Sequence, residues 1–387
     1  MATVPAYSIT KEAIARESER VGGDLARFDV SRVLSLDTLE LPPLGPSDVH
    51  MRILAVSCEH NIDHAATADT VNIADVRGGR IFPGNSAVGE VLEVGERVAR
   101  FKAGDIVITH CNGDPDEFGY AQRIWAYDTD DSIGWYAKEA VVGDWQILPA
   151  PMDCGLSLFE IAALPLRAPT AYHLWRRAIG IYRLKVSREQ QATLNVLAFG
   201  GGVSELFLML AKAEGHRAFF CSGSPARRAA LEKLGIAGID QQAFNRFASK
   251  DDVRVFSKEC RRLSGGRGMH IVCDMLRGPV FPAGFAVASR EGVNVSAGWQ
   301  LSQRIEYNST LASVKQITLD HTHYETPPGC KAATELYGKV FKPTIHEEVY
   351  RWSDLPRAHH EMHRNAQTGI PIVQVADDLG TFFANLR

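Results

Sequence analysis

The sequence of 387 residues lacks several features that mark large classes of protein. It has no apolar run of about eighteen residues, which a membrane-spanning helix would need. It has no basic cluster, and its net charge is −4, so nothing favours binding to nucleic acid. The N-terminus mixes acidic and basic side chains without the apolar core of a signal peptide. We therefore expect a cytoplasmic protein that binds neither a membrane nor nucleic acid.

Closely spaced cysteines are also missing. No two of the seven cysteines lie three residues apart, so the sequence offers no CxxC pair and no metal-knuckle spacing. Dispersed cysteines in a reducing compartment are usually small core residues. The seven are Cys58, Cys111, Cys154, Cys221, Cys260, Cys273 and Cys330. We expect no metal centre built on them.

Two kinds of pattern divide the chain. From residue 30 to 150 short apolar strands alternate with glycine and proline turns, as in a β-barrel. After Gln191 strands and helices alternate, which predicts a parallel sheet. We predict an α/β protein with a β-rich domain over 1–168, a parallel-sheet domain over 169–325, and a return to the first domain over 326–387.

A glycine-rich turn stands between the first strand and first helix of the alternating half. It contains Gly200, Gly201 and Gly202, followed by Ser204 where a dinucleotide-binding fingerprint would place its last glycine. Such a turn lets a diphosphate approach backbone N–H groups at a helix N-terminus. A tight turn without a ligand is the alternative. Glu205 would place a carboxylate close to the phosphates.

The end of the next strand indicates which dinucleotide would bind. An NAD site usually has a carboxylate here for the ribose diol, and this sequence has none. Instead it has Ser222, Ser224, Arg227 and Arg228, whose hydroxyl and guanidinium groups suit a 2′-phosphate. This favours NADPH over NADH. The alternative is that the two arginines begin a solvated helix.

Several longer strings carry a family resemblance. Residues 84–95 (GNSAVGEVLEVG) followed by FKAGD at 101–105 resemble the catalytic-domain signature of the medium-chain dehydrogenase/reductases. HCN at 110–112, QRIWAYDT at 122–129 and MHRN at 362–365 resemble, more specifically, the crotonyl-CoA carboxylase/reductases. The resemblance implies a GroES-like β-barrel catalytic domain and a Rossmann domain.

The resemblance also implies that zinc is absent. Zinc alcohol dehydrogenases have Cys and His ligands at two positions that here hold Glu59 and Asn85, and asparagine is a poor zinc ligand. Glu59, His60, Asp63 and His64 form an acidic and histidine-rich stretch that could hold a metal. The alternative, which we favour, is a polar wall of a cleft.

The family reduces an α,β-unsaturated acyl thioester with hydride from NADPH, and the enolate then attacks CO2. The resemblance carries four residues of that chemistry onto Asn61, His321, Tyr127 and Asp128. The family has glutamate where this sequence has Asp128, and the shorter side chain puts carboxylation in doubt. Reduction with a proton in place of CO2 is therefore an equal alternative. By the same resemblance Thr170, Ala297 and Gly298 lie near the nicotinamide.

Substrate and assembly stay open at this stage. The acyl group could be carried by CoA or by a carrier protein, in acyl-CoA or polyketide-precursor metabolism. A quinone or enone reductase, and a non-redox protein on the same scaffold with a degraded cofactor site, are the competing hypotheses. By analogy we expect a homodimer or a dimer of dimers, paired through an edge strand for which Gly292–Ser296 is the candidate.

Overall fold

The computed structural model describes residues 2–67, 78–110, 115–120, 134–298, 300–302 and 304–379. The chain divides into two compact units. Unit 1 comprises residues 1–166, 326–331 and 345–387, and unit 2 comprises residues 167–325 and 332–344. The first unit is therefore discontinuous in sequence, and the second is inserted into it.

Strands dominate the described part of unit 1. They are β1 (Thr3–Thr10), β2 (Leu34–Glu40), β3 (Asp48–Ser57), β4 (Arg80–Ile81), β5 (Ser86–Val94), β6 (Ile106–Thr109), β7 (Glu139–Gly143), β8 (Ile147–Pro149), β15 (Ile345–Arg351) and β16 (Ile370–Gln374). Its helices are α1 (Lys11–Val21), α2 (His60–Thr67), α3 (Leu158–Ala162) and α11 (Leu355–His363). The predicted β-rich half is confirmed, and the β1–α1 segment before it had no signal in our sequence analysis.

Local chemistry explains where these elements begin and end. Helix α1 starts at Thr10, whose hydroxyl accepts the N–H of Ala13 at 3.2 Å, and it ends at Gly22 with φ of 65°. Strand β3 lies at the centre of the larger sheet, in the order β15-β16-β3-β5-β6-β8, with β7 also paired to β3. Strand β3 alternates buried and partly buried residues over 48–52 and is buried throughout 53–57.

Strands and helices alternate through unit 2. The strands are β9 (Asn195–Phe199), β10 (Arg217–Ser222), β11 (Ala237–Asp240), β12 (Met269–Asp274), β13 (Ala288–Ser296) and β14 (Thr318–His321). The helices are α4 (Arg167–Lys185), α5 (Gly202–Ala213), α6 (Pro225–Glu232), α7 (Lys250–Leu263), α8 (Val280–Val287) and α9 (Ser309–Lys315), and α10 (Pro327–Thr334) follows the last strand.

The strands of unit 2 form one parallel sheet in the order β11-β10-β9-β12-β13-β14. The predicted α/β class and parallel sheet are confirmed. One detail is wrong: Gly292–Ser296 belongs to β13, which pairs with strands on both sides, so it is not an edge strand. The edges of this sheet are β11 and β14. Sequence periodicity finds strands but does not order them.

Candidate functional site

The carboxyl edge of the unit 2 sheet collects most of the residues predicted from sequence. The chain leaves β9 at Phe199, β10 at Ser222, β13 at Ser296 and β14 at His321, and all of these strands run in the same direction. The order of strands reverses between β9 and β12, because β10 and β11 lie on one side and β13 and β14 on the other. In open parallel sheets the crevice at such a reversal is where ligands bind.

The glycine turn fills the space between β9 and α5. Gly200 has φ of 108°, a left-handed conformation that favours glycine, and Gly201 is the residue that caps α5. Ser204 is buried, and its hydroxyl donates to the carbonyl of Phe199 at 2.5 Å, which ties the first helical turn back to the strand. The turn is therefore tied closely to the end of β9, and the Ser204 hydroxyl is engaged in that contact.

Two arginines cover this turn. A Cβ atom built on Gly201 would collide with Nη1 of Arg227, and one built on Gly202 would lie 2.8 Å from Nε of Arg167. Nη1 of Arg227 is 3.6 Å from Oε1 of Glu205. Burial raises the pKa of Glu205, although Arg227 and Arg167 both act to lower it. The sequence analysis identified Glu205 as a problem for phosphate but gave no signal that Arg227 would reach it.

The other residues after β10 are engaged locally. Ser224 caps α6 by accepting the N–H of Arg227 at 3.4 Å, and Oγ of Ser222 accepts the N–H of Ser224 at 3.2 Å. Arg228 donates to the carbonyl of Ser222 at 2.5 Å and pairs with Asp240 at 3.1 Å. Ser222, Ser224 and Arg228 therefore shape the end of β10, and Arg228 is fixed beside it.

His321 ends β14 and lies opposite Ser296 in the register of the sheet. Desolvation and then the charge of Arg277 lower the pKa of His321, against the opposing charge of Asp320. The imidazole is therefore neutral near pH 7. A neutral imidazole donates a hydrogen bond without carrying a second, acidic proton.

The segment after β13 packs closely on the segment after β12. A Cβ atom on Gly298 would collide with the carbonyl of Met275, and Oγ of Ser296 donates to the carbonyl of Gly298 at 3.1 Å. Ala297 lies between these two residues, next in chain to the end of β13. The glycine is needed for this approach, and it places Ala297 and Gly298 at the same edge as His321.

Asp274 at the end of β12 was missed by the sequence analysis. It is buried, its Oδ1 accepts the N–H groups of Leu276 and Arg277 at 2.9 Å each, and burial raises the pKa of its carboxyl group. Arg277 itself has φ of 58°, a left-handed conformation that is costly for a non-glycine residue. This strained turn carries the positive charge that faces His321.

Thr170 lies on α4 and is buried within unit 2, as is Arg167 three residues before it. Because α4 begins at Arg167, its first turn brings that guanidinium to the glycine turn. The role assigned to Thr170 beside a nicotinamide stays a prediction.

In unit 1, Asn61, which is predicted to contact substrate, is hydrogen-bonded to the amide side chain of Asn85. Nδ2 of Asn61, on α2, donates to Oδ1 of Asn85 at 2.7 Å. Oδ1 of Asn61 has no hydrogen-bond partner among the described residues. Asn85 is completely buried just before β5, so it fixes the orientation of the Asn61 side chain.

The donor set around Asn61 does not fit zinc. Glu59 is buried and hydrogen-bonded to Oγ of Ser57, and Asn85 offers an amide that zinc binds poorly. In the part of the chain that the structure describes, no group of three His, Cys, Asp or Glu side chains could hold a metal ion. Within the same residues no helix has the length and apolarity to cross a membrane.

A second cluster in unit 1 surrounds Asp63. Its Oδ1 is 3.4 Å from Nδ1 of His359, and its Oδ2 is 3.5 Å from Nδ1 of His363 and 3.1 Å from Nδ1 of His60. Burial alone would raise the pKa of Asp63, but the bonds with the three histidines outweigh it and hold the pKa well below its ordinary value. His359 also bonds to the hydroxyl of Tyr136 at 3.1 Å. The polar wall expected at 59–64 is thus an ordered cluster that joins α2 to α11.

Two of the predicted catalytic residues, Tyr127 and Asp128, lie outside the described residues. Their roles stay predictions carried by the family resemblance alone.

Comparisons with known proteins support this picture. Residues 45–152 match the alcohol dehydrogenase GroES-like domain. The chain is 25% identical over 364 residues to the crotonyl-CoA carboxylase/reductase of Cereibacter sphaeroides, covering 86% of this chain and 81% of that protein. It is 31% identical over 236 residues to a probable cinnamyl alcohol dehydrogenase 1 of Eucalyptus gunnii, covering 57% of this chain and 62% of that protein.

A solved structure of the crotonyl-CoA carboxylase/reductase AntE has the same fold. The TM-score is 0.80 at 20% identity, with 97% of this chain and 95% of that chain covered. The fold comparison, the GroES-like match and the sequence relationship over most of the chain agree. The chain is a relative of the crotonyl-CoA carboxylase/reductases, with the GroES-like and Rossmann domains of the medium-chain dehydrogenase/reductases.

Proposed function

We propose that this protein is an NADPH-dependent reductase of an α,β-unsaturated acyl thioester. The observation that carries the proposal is the sequence relationship to crotonyl-CoA carboxylase/reductase over 86% of the chain. It is supported by a second such relative, the crotonyl-CoA reductase of Streptomyces collinus, which is 25% identical over 93% of this chain. The neighbouring AntE structure is a complex with NADP.

The carboxyl edge of the unit 2 sheet would hold the cofactor. The backbone N–H groups that follow Gly201 would hold the diphosphate, and the helix dipole of α5 would favour its charge. Arg227 would bind the 2′-phosphate as a bidentate guanidinium. Ala297, Gly298 and Thr170 would lie near the nicotinamide. When bound, NADPH supplies the hydride that is added to the β-carbon of the substrate.

The side chains proposed for catalysis are neutral hydrogen-bond donors. Hydride addition leaves negative charge on the thioester oxygen, and donors aimed at that oxygen stabilise the enolate. His321 would donate from a neutral imidazole. Asn61, one N–H of which is held by Oδ1 of Asn85, would donate its second amide N–H. Neither group is acidic enough to protonate the enolate rapidly, which leaves the α-carbon available for CO2. Tyr127 and Asp128 would order a water beside it.

An experiment distinguishes whether the enolate reacts with a proton or with CO2. The protein is incubated with NADPH and a panel of enoyl-CoA and enoyl-carrier thioesters, with and without bicarbonate, and products are identified by mass. Oxidation of NADPH with a product two hydrogens heavier establishes the reductase. A further gain of CO2 establishes carboxylation. No NADPH oxidation with any thioester would overturn the proposal.

His321→Asn separates the two steps. We expect carboxylated product to fall relative to reduced product by about tenfold or more, since one donor to CO2 or the enolate is altered. His323→Asn, two residues further on, is the matched control and should leave the product ratio unchanged. An unchanged ratio in His321→Asn would remove His321 from this role.

A further inference from the structure

The position of Arg227 conflicts with the place of the cofactor diphosphate. In dinucleotide-binding turns the central glycine is required because the diphosphate occupies the space where its side chain would be. Here the central glycine is Gly201, and Nη1 of Arg227 occupies the space where a side chain of this residue would be. The guanidinium and a diphosphate cannot both lie there.

Glu205 is what holds the guanidinium in place. Its side chain is 5% exposed and that of Arg227 is 21% exposed, so the pair lies largely away from solvent. Arg167 from α4 is a second positive neighbour of this carboxylate, on the adjacent glycine. Glu205 therefore keeps a positive partner even when Arg227 moves away.

We propose that the Glu205–Arg227 pair competes with the cofactor for the glycine turn, and that the 2′-phosphate of NADPH is the group that re-engages the displaced arginine. This inference rests on the proposed function, because it assumes that a dinucleotide binds at this edge. It makes Glu205 a positioning residue that acts through Arg227 on cofactor choice.

The location of Arg227 on α6 makes the exchange possible. It lies in the first turn of α6, directly after the end of β10, where dinucleotide folds read the adenosine ribose. A rotation of its long side chain moves the guanidinium from Gly201 towards that ribose. A 2′-phosphate accepts two parallel hydrogen bonds from it. NADH has only a hydroxyl there, so the displaced guanidinium returns to water.

The competition has a signature in the two affinities. Both cofactors must displace Arg227, so the Glu205–Arg227 pair weakens the binding of NADPH and of NADH by the same factor. Only NADPH regains affinity, because its 2′-phosphate binds the displaced arginine. Removing the carboxylate should therefore tighten both cofactors equally. Removing the guanidinium should tighten NADH and abolish the preference for NADPH.

The test is a titration of each purified full-length protein with NADPH and with NADH, followed by nicotinamide fluorescence. Glu205→Gln should bind both cofactors about tenfold more tightly than the wild type, with the ratio unchanged. Arg227→Ala should bind NADH about tenfold more tightly, and its NADPH-to-NADH preference should fall by about tenfold or more. Glu259→Gln, which breaks a surface pair with Arg262, is the control and should change neither affinity.

Each other outcome has a definite meaning. Unchanged NADH binding in Arg227→Ala would show that the guanidinium contacts only the 2′-phosphate. Equal weakening of both cofactors would show that it binds the diphosphate. Either result overturns the competition while the reductase proposal stands.

Failure of the proposed function looks different. If the wild type binds neither cofactor but Arg227→Ala binds NADH, the competition is supported and the wild type is not an NADPH reductase. If no variant binds either cofactor, both proposals fall. Thermal unfolding of each variant confirms that the loss of binding is not a loss of fold.

Discussion

Unit 1 and unit 2 each bury a carboxylate beside basic side chains, and the pKa values of the two carboxyl groups shift in opposite directions. Asp63 has its pKa held well below the ordinary value, whereas Glu205 has its pKa raised. Burial acts to raise the pKa of both carboxyl groups. Asp63 is contacted by three imidazole nitrogens within 3.5 Å, whereas Arg227 stands at 3.6 Å from Glu205.

Contacts with histidine nitrogens lower the pKa of Asp63, whereas the charges of Arg227 and Arg167 offset only part of the burial of Glu205. Hydrogen bonds to the charged form favour ionisation directly, and a longer ion pair only offsets part of the lost hydration. Asp63 is consequently a fixed part of the unit 1 core. Glu205 is a carboxylate whose partner can leave, as a ligand-responsive turn would require.

The largest expected effect is at Asp63. Asp63→Asn removes the negative charge that three histidines contact, and we expect the free energy of unfolding to fall by about 3 kcal/mol. Urea denaturation at pH 7 measures this. Asp377→Asn, whose side chain is 95% exposed beside Lys138, is the control and should change the free energy by about 0.5 kcal/mol or less. Equal losses of unfolding free energy in Asp63→Asn and Asp377→Asn would contradict a structural role for Asp63.

A smaller effect is expected from His363. The bond with Asp63 raises the pKa of His363 above its ordinary 6.5, so the folded protein keeps a proton that the unfolded chain has released. Its contribution to stability is complete below pH 6.5 and is lost as the pH rises through the folded value. His363→Asn should therefore flatten the pH dependence of the urea midpoint above pH 6.5. His346→Asn is the control, and an unaltered slope in His363→Asn would contradict the assignment.

The smallest effect on stability is expected at Glu205. Glu205→Gln removes an ion pair and also the cost of burying its charge, so the free energy of unfolding should change by about 1 kcal/mol or less. The pKa is raised from 4.5, so the wild type should lose stability relative to the variant as the pH rises through the folded value. Melting temperatures at pH 5 and pH 8 test this sign. If Glu205→Gln lowered the free energy of unfolding as much as Asp63→Asn does, both carboxylates would be structural.

The sequence predicted the features that depend on neighbours along the chain. The strand, glycine turn and helix around Gly201 were predictable, because one short segment contains the apolar strand, the breaker and the helix start. The absence of an acid after β10 was equally visible. Matching to a known family singled out Asn61 and Asn85 for separate reasons, and nothing in the sequence indicated that the two amides bond to each other.

Contacts between distant segments were beyond the sequence. His359 and His363 meet Asp63 because α11 packs near α2, and no spacing records that approach. Arg227 on α6 reaches Gly201 in the turn after β9, and no spacing in the sequence records that contact. The edge of the unit 2 sheet was misassigned to β13 because strand order follows from tertiary packing.

The insertion of unit 2 into unit 1 has a consequence for how the polypeptide matures. Strand β16 pairs with β3, so the central sheet of unit 1 requires residues that leave the ribosome after nearly all of unit 2. Unit 2 can assemble its sheet first. Until β16 has been synthesised, the edge of β3 that pairs with β16 stays unpaired. Exposed strand edges of that kind are where nascent chains aggregate. The edge of β3 is therefore protected from aggregation only after the segment from β15 to β16 has been translated.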